Sequence, residues 1–84
     1  MHNKIEYNLY KMLEEASDAV AQTLLGMMYQ NGKGVPQNDA EAVQWYRKAA
    51  DQDHAEAQFN LGMIYHKGKG VPRDDAEAAG WYRK

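Results

Sequence analysis

Apolar residues in this chain recur at intervals of three and four, with polar residues between them. From Ala55 to Lys67, the side chains of Ala57, Leu61, Ile64 and Tyr65 fall on one arc of a helical wheel. That spacing belongs to a helix with one buried face. Gly62 lies on the same arc, where the missing side chain lets a neighbouring helix approach closely. From Asp39 to Asp51 the apolar arc is Ala42, Val43, Trp45, Tyr46, Ala49 and Ala50, with Gln44, Arg47, Lys48 and Asp51 opposite.

Glycine and proline separate these stretches. Gly32 and Gly68 stand where a helix ends in a left-handed residue, and Pro36 and Pro72 follow shortly after. Asn38 with Glu41, and Asp74 with Glu77, resemble capping boxes that open the next helix. Asp53 with Glu56 gives the same signal once more. The connections are short, so neighbouring helices are expected to pack antiparallel.

The pattern is a repeat. Ala19–Lys48 laid over Ala55–Lys84 matches at 20 of 30 positions, with an offset of 36. Gly32-Lys33-Gly34-Val35-Pro36 returns unchanged as Gly68-Lys69-Gly70-Val71-Pro72, and Trp45-Tyr46-Arg47-Lys48 returns as Trp81-Tyr82-Arg83-Lys84. Leu9-Tyr10-Lys11 falls opposite Trp45-Tyr46-Arg47 at the same offset. Roughly Asn3–Glu15 is therefore expected to form a helix that covers the open end of the stack, as terminal repeats do. At the other end, the helix beginning near Asp75 reaches Lys84 without a counterpart of Ala49-Ala50-Asp51. Gly80 weakens it by about 1 kcal/mol relative to alanine. This end is expected to continue into a longer array or to be covered by another molecule. The predicted fold is all-α: an α-α superhelix of five helices in one domain. A capping helix occupies 1–18, the first repeat 19–54 and a truncated second repeat 55–84.

The motifs Ala-x-x-x-Leu-Gly-x-x-Tyr, Gly-x-Gly-Val-Pro and Asp-x-x-x-Ala-x-x-Trp-Tyr-x-Lys closely resemble those of the Sel1-like repeat family, relatives of the tetratricopeptide repeat. The resemblance runs from Ala19 to Lys84, and the 36-residue unit favours it over the 34-residue relative. It implies a helical solenoid that acts as an adaptor or scaffold for other proteins. It carries over no catalytic residue, and fold alone does not define an activity.

Composition narrows the function further. The 84 residues carry a net charge of −2, without the basic excess of a nucleic-acid binder. No apolar run is long enough to cross a bilayer. There is no cysteine, which excludes disulfides and thiolate metal sites and agrees with a cytoplasmic, reducing location. Secreted or periplasmic placement is compatible with the sequence too. Ser17 and Thr23 are the sole serine and threonine, so nucleophile–base arrangements are nearly excluded, and the carboxylates gather at helix starts, where capping accounts for them. His2, His54 and His66 lack metal-ligand spacing and read as surface residues. No enzyme activity, cofactor or metal is implied.

What remains is protein binding. Phe59, Met63 and His66 line up at i, i+4 and i+7 away from the packing arc, flanked by Asn60 and Lys67. Their counterparts are Thr23, Met27 and Gln30, flanked by Leu24 and Asn31. In related solenoids the first helix of each repeat lines a concave groove, and these two rows are expected to lie there and bind a partner's peptide or helix. The units differ at most groove places and agree at most core places. The alternative is self-assembly, with a homodimer formed through Gly80, Trp81 and Tyr82 on the uncovered last helix. Lys33, Lys67, Lys69 and Arg73 cluster near the turns, where a solvated loop is the ordinary explanation.

Overall fold

The computed structural model describes residues 4–16 and 18–83. Expectations placed on His2, Asn3, Ser17 and Lys84 lie outside the described residues. Five α-helices follow in order: α1 Lys4–Glu15, α2 Ala19–Asn31, α3 Asp39–Ala50, α4 Ala55–Lys67 and α5 Asp75–Tyr82. No strand occurs among the described residues. Each helix packs chiefly on the next one in the chain, giving a body of 39 × 24 × 13 Å. This is the architecture of a short solenoid, in which each unit touches only its neighbours.

Local chemistry sets the helix ends. Asn38 Oδ1 accepts from the Glu41 N–H at 3.0 Å, and Asp74 Oδ1 accepts from the Glu77 N–H at 3.0 Å. The reciprocal half of the expected capping box is replaced by a longer-range bond. The Asn38 N–H donates to Tyr29 O at 2.8 Å and the Asp74 N–H to Tyr65 O at 2.9 Å, tying each second helix to the end of the first. Gly32 and Gly68 end α2 and α4 at φ of 69° and 71°, in the left-handed region that glycine enters without steric cost.

The expectation for Asp53 needs correcting. Its side chain does not cap α4; His54 holds the cap position, without a side-chain hydrogen bond to the helix. Asp53 instead adopts φ 61°, a left-handed conformation that aspartate tolerates better than most residues. Its N–H reaches back to Ala50 O at 3.0 Å. The residue closes α3 rather than opening α4.

The core forms along α3 and α4. Ala42, Val43, Tyr46, Ala49, Ala57 and Leu61 are almost wholly buried, joined by Ile64, Tyr65 and Ala78. The alanines let helices approach closely, and Tyr46 fills the resulting space. Its ring lies on Gly26, where an added Cβ would come within 2.6 Å of Cδ1, and its hydroxyl donates to Gln30 Oε1 at 2.6 Å. The half-buried Trp81 packs against the same core. Trp45 is also half-buried, with the Lys48 ammonium 4.3 Å from its ring centroid.

Helix α1 packs against α2 but has no fully buried residue. The Gly34 backbone meets the Glu6 carbonyl so closely that a Cβ would stand 2.6 Å from it. The Tyr29 hydroxyl donates to the Tyr10 hydroxyl at 3.1 Å, with the two rings edge to face at 5.9 Å. On its outer side α1 shows Ile5 and Met12, 78% and 70% exposed. The end of the stack is covered by a helix whose own far side is apolar.

Candidate partner-binding groove

The expected groove residues divide between two faces. On α2, Thr23 is 2% exposed and its hydroxyl donates to Ala19 O at 2.8 Å, so it lies beneath the surface and not on it. Gln30 is held by the Tyr46 hydroxyl. Gln30 thus meets α3, and Thr23 lies in the same stripe of α2 as Gln30 and Gly26. Their counterparts on α4 turn toward α5. The ring of Phe59 sits 5.7 Å from that of Tyr82, and His66 Nδ1 lies 3.1 Å from Asp75 Oδ1. Phe59 nevertheless stays 56% exposed, because α5 covers only one side of it.

The remaining row is open. Leu24 and Met27 are 41% and 37% exposed, and Asn31 is exposed beyond them. Together with Leu9 and Leu13 of α1, and with Met28 and Lys33, they line a cleft of about 200 Å³. In the second repeat Asn60 and Met63 are half-buried and Lys67 is exposed at the corresponding places. Sequence reasoning missed the two leucines of α1, which were read only as part of a cover. Their i, i+4 spacing was the available signal, since it presents two leucines to one neighbouring helix.

Polar groups mark the edge where the turns lie. Arg73 Nη2 reaches Asp75 Oδ2 at 3.0 Å, and with His66 on the other oxygen the pair holds the Asp75 carboxyl below its usual range. No carboxylate of a described residue lies within salt-bridge distance of Lys33, Lys67 or Lys69. The cleft thus offers aliphatic and thioether surface, one amide and an ammonium group at its rim.

Gly80, Trp81 and Tyr82, expected at a self-association surface, do not share one environment. Tyr82 lies over Gly62, as Tyr46 lies over Gly26. Gly80 faces open space, beside a second cleft of about 280 Å³ lined by Asp74, Ala76, Glu77 and Trp81.

The Sel1 repeat family model matches residues 19–54 and 55–84. The chain belongs to the Sel1 repeat family. Solved relatives agree in fold. A Sel1 repeat protein from Oxalobacter formigenes is 42% identical with a TM-score of 0.89, over 95% of this chain and 33% of that one. The c5321 protein, a protective antigen present in uropathogenic Escherichia coli strains and displaying an SLR fold, is 51% identical with a TM-score of 0.76. That match covers 77% of this chain and 14% of the antigen. Cysteine-rich protein B of Helicobacter pylori is 28% identical with a TM-score of 0.88, over 96% of this chain and 62% of its own. The chain spans less than two thirds of the length of each. No curated protein matches it. Sel1 repeats are in general protein–protein interaction modules and non-enzymatic scaffolds.

Proposed function

We propose that this Sel1 repeat pair binds a peptide or helix of a partner protein along the open row of α2 and α4. The observation that supports this most directly is the cleft between α1 and α2. Leu24 and Met27 stay accessible there beside Leu9 and Leu13, on α2, whose opposite face is buried, and next to the largely exposed α1. Methionine suits such a surface because its unbranched thioether adapts to irregular partners. An apolar row on a helix accepts an extended segment or a second helix by the same contacts.

The test uses Leu24→Asp, Met27→Glu, Met63→Glu and Phe59→Asp. Partner capture should disappear in the first two and weaken in the others, while the helical circular-dichroism signal and melting midpoint stay near wild type. Undiminished capture by all four folded variants places binding elsewhere. A second reading, self-association through α5, is favoured by the cleft beside Gly80 and Trp81. It requires a mass that rises with concentration in light scattering and falls back in a Gly80→Lys variant.

A further inference from the structure

We propose that the α1–α2 cleft selects an acidic peptide segment, seating one bulky aliphatic or aromatic side chain while adjacent carboxylates meet Lys33 and, one repeat along, Lys67 and Lys69. This rests on the groove reading above and adds the chemical class of the partner. At about 200 Å³ the cleft is smaller than the roughly 300–1,000 Å³ typical of small-molecule sites. It has room for a side chain, not for a whole ligand. Its walls are leucine and methionine, and the one charged group among its lining residues is the Lys33 ammonium.

The repeat extends that charge along the groove. Lys67 stands at the place of Asn31, and Lys69 at the place of Lys33. Both Asn31 and Lys33 line the cleft. Several other cations are engaged: Lys11 by Glu14, Arg73 by Asp75, Arg47 by the Tyr65 hydroxyl and Lys48 by the Trp45 ring. Among the described residues the three turn lysines have no such partner within salt-bridge distance, in a chain whose net charge is −2. The free carbonyls at a helix C-terminus would oppose an anion, but here three of the last four are occupied, Gln30 O by the Gln37 side-chain amide. Gly32 and Lys33 N–H donate to Met28 O, and the Asn38 N–H donates to Tyr29 O. Lys33 is the charge that lines the cleft, and Lys67 and Lys69 are exposed one repeat along, beside the exposed Arg73–Asp75 pair.

Fluorescence anisotropy with three labelled peptides tests the proposal. Each carries a central leucine, flanked by aspartates in one, asparagines in the second and lysines in the third. The aspartate peptide should bind about tenfold or more tighter than the others at low salt, with the advantage shrinking as salt screens it. Lys33→Glu, an exposed turn substitution, should reverse the order, and Met27→Glu should abolish binding of the preferred peptide. Equal binding of all three peptides, still lost in Met27→Glu, overturns the charge preference and leaves the groove reading standing. Absence of binding by all three, or binding indifferent to Met27→Glu, overturns both. A mass that grows with concentration and returns to monomer in Met27→Glu would assign the cleft to a second copy and overturn the acidic peptide.

Discussion

The ring of Tyr82 lies directly on the bare backbone of Gly62, repeating one unit later the contact of Tyr46 with Gly26. A Cβ at Gly62 would stand 2.7 Å from Tyr82 Cδ1, and one at Gly26 2.6 Å from Tyr46 Cδ1. The two seats differ in freedom. Tyr46 is wholly buried and anchored to Gln30, whereas Tyr82 is 47% exposed on the terminal helix.

Gly26→Ala should accordingly destabilise the protein by about 1–3 kcal/mol, the usual cost of overpacking a tight core. Gly62→Ala should fall at or below the lower end of that range, since Tyr82 can swing outward. Gly80→Ala should go the other way. Nothing lies within 4 Å of its added methyl, and the helix gains about 0.5–1 kcal/mol from losing an interior glycine. Urea unfolding of the three variants orders them.

The α3–α4 junction is joined by the hydrogen bond from the Arg47 guanidinium to the Tyr65 hydroxyl. Tyr65→Phe should cost about 0.5–1.5 kcal/mol, because the largely buried hydroxyl and its bond from Arg47 are both removed. A double-mutant cycle with Arg47→Ala should show that the two losses are not additive. Additive losses would mean the bond contributes nothing at equilibrium.

Alkaline pH should weaken the fold through two tyrosines. Burial pushes the Tyr46 phenol up, and its hydrogen bond with Tyr29, reinforced by partial burial and Glu14, pushes Tyr10 up. Both keep their protons when folded at a pH where the unfolded chain loses them. Stability is thus intact below the ordinary tyrosine value of 10.0 and falls as pH rises beyond it. Phenolate absorbance should show Tyr10 and Tyr46 losing their protons above the ordinary tyrosine value. Tyr46→Phe should remove one of the two late titrations.

On the acid side, Asp75 acts in the opposite sense. Arg73, and after it His66, holds its carboxylate ionised, so the contribution is present above the usual 3.8 and is lost as pH falls below that value. The groups are exposed, so the effect should be small and salt-sensitive. Asp75→Asn should lower the neutral plateau slightly and flatten the acid limb of the melting curve.

Much of the fold was legible because the repeat carries the same information twice. Gly26 and Gly62, Tyr46 and Tyr82, Asn38 and Asp74 each perform one packing or capping task per unit. The faces of α2 and α4 were harder to separate. Thr23 and Met27 are four residues apart and differ by about 40° on the wheel at 3.6 residues per turn. One is buried and the other open, according to how far α3 reaches around. The periodicity cannot locate that boundary, because the width of a buried face depends on the neighbour's bulk. The same limit hid Leu9 and Leu13, whose role depends on where α1 docks. Asp53 misled for a different reason: aspartate serves both as an N-cap and as a left-handed residue, and α3 needed the second.

The Gly70 turn rests on the start of α3, where a Cβ would come within 2.6 Å of the Asp39 carbonyl carbon and 2.7 Å of the Ala40 nitrogen. Gly34 rests in a similar way on α1 at Glu6. Main chain thus meets main chain where the Gly34 and Gly70 turns key one unit to the unit before it, alongside the side-chain packing of α3 on α4. The exposed rows of α2 and α4 can then change residue by residue, as Leu24 and Asn60 already do within this one chain, while these main-chain contacts stay as they are.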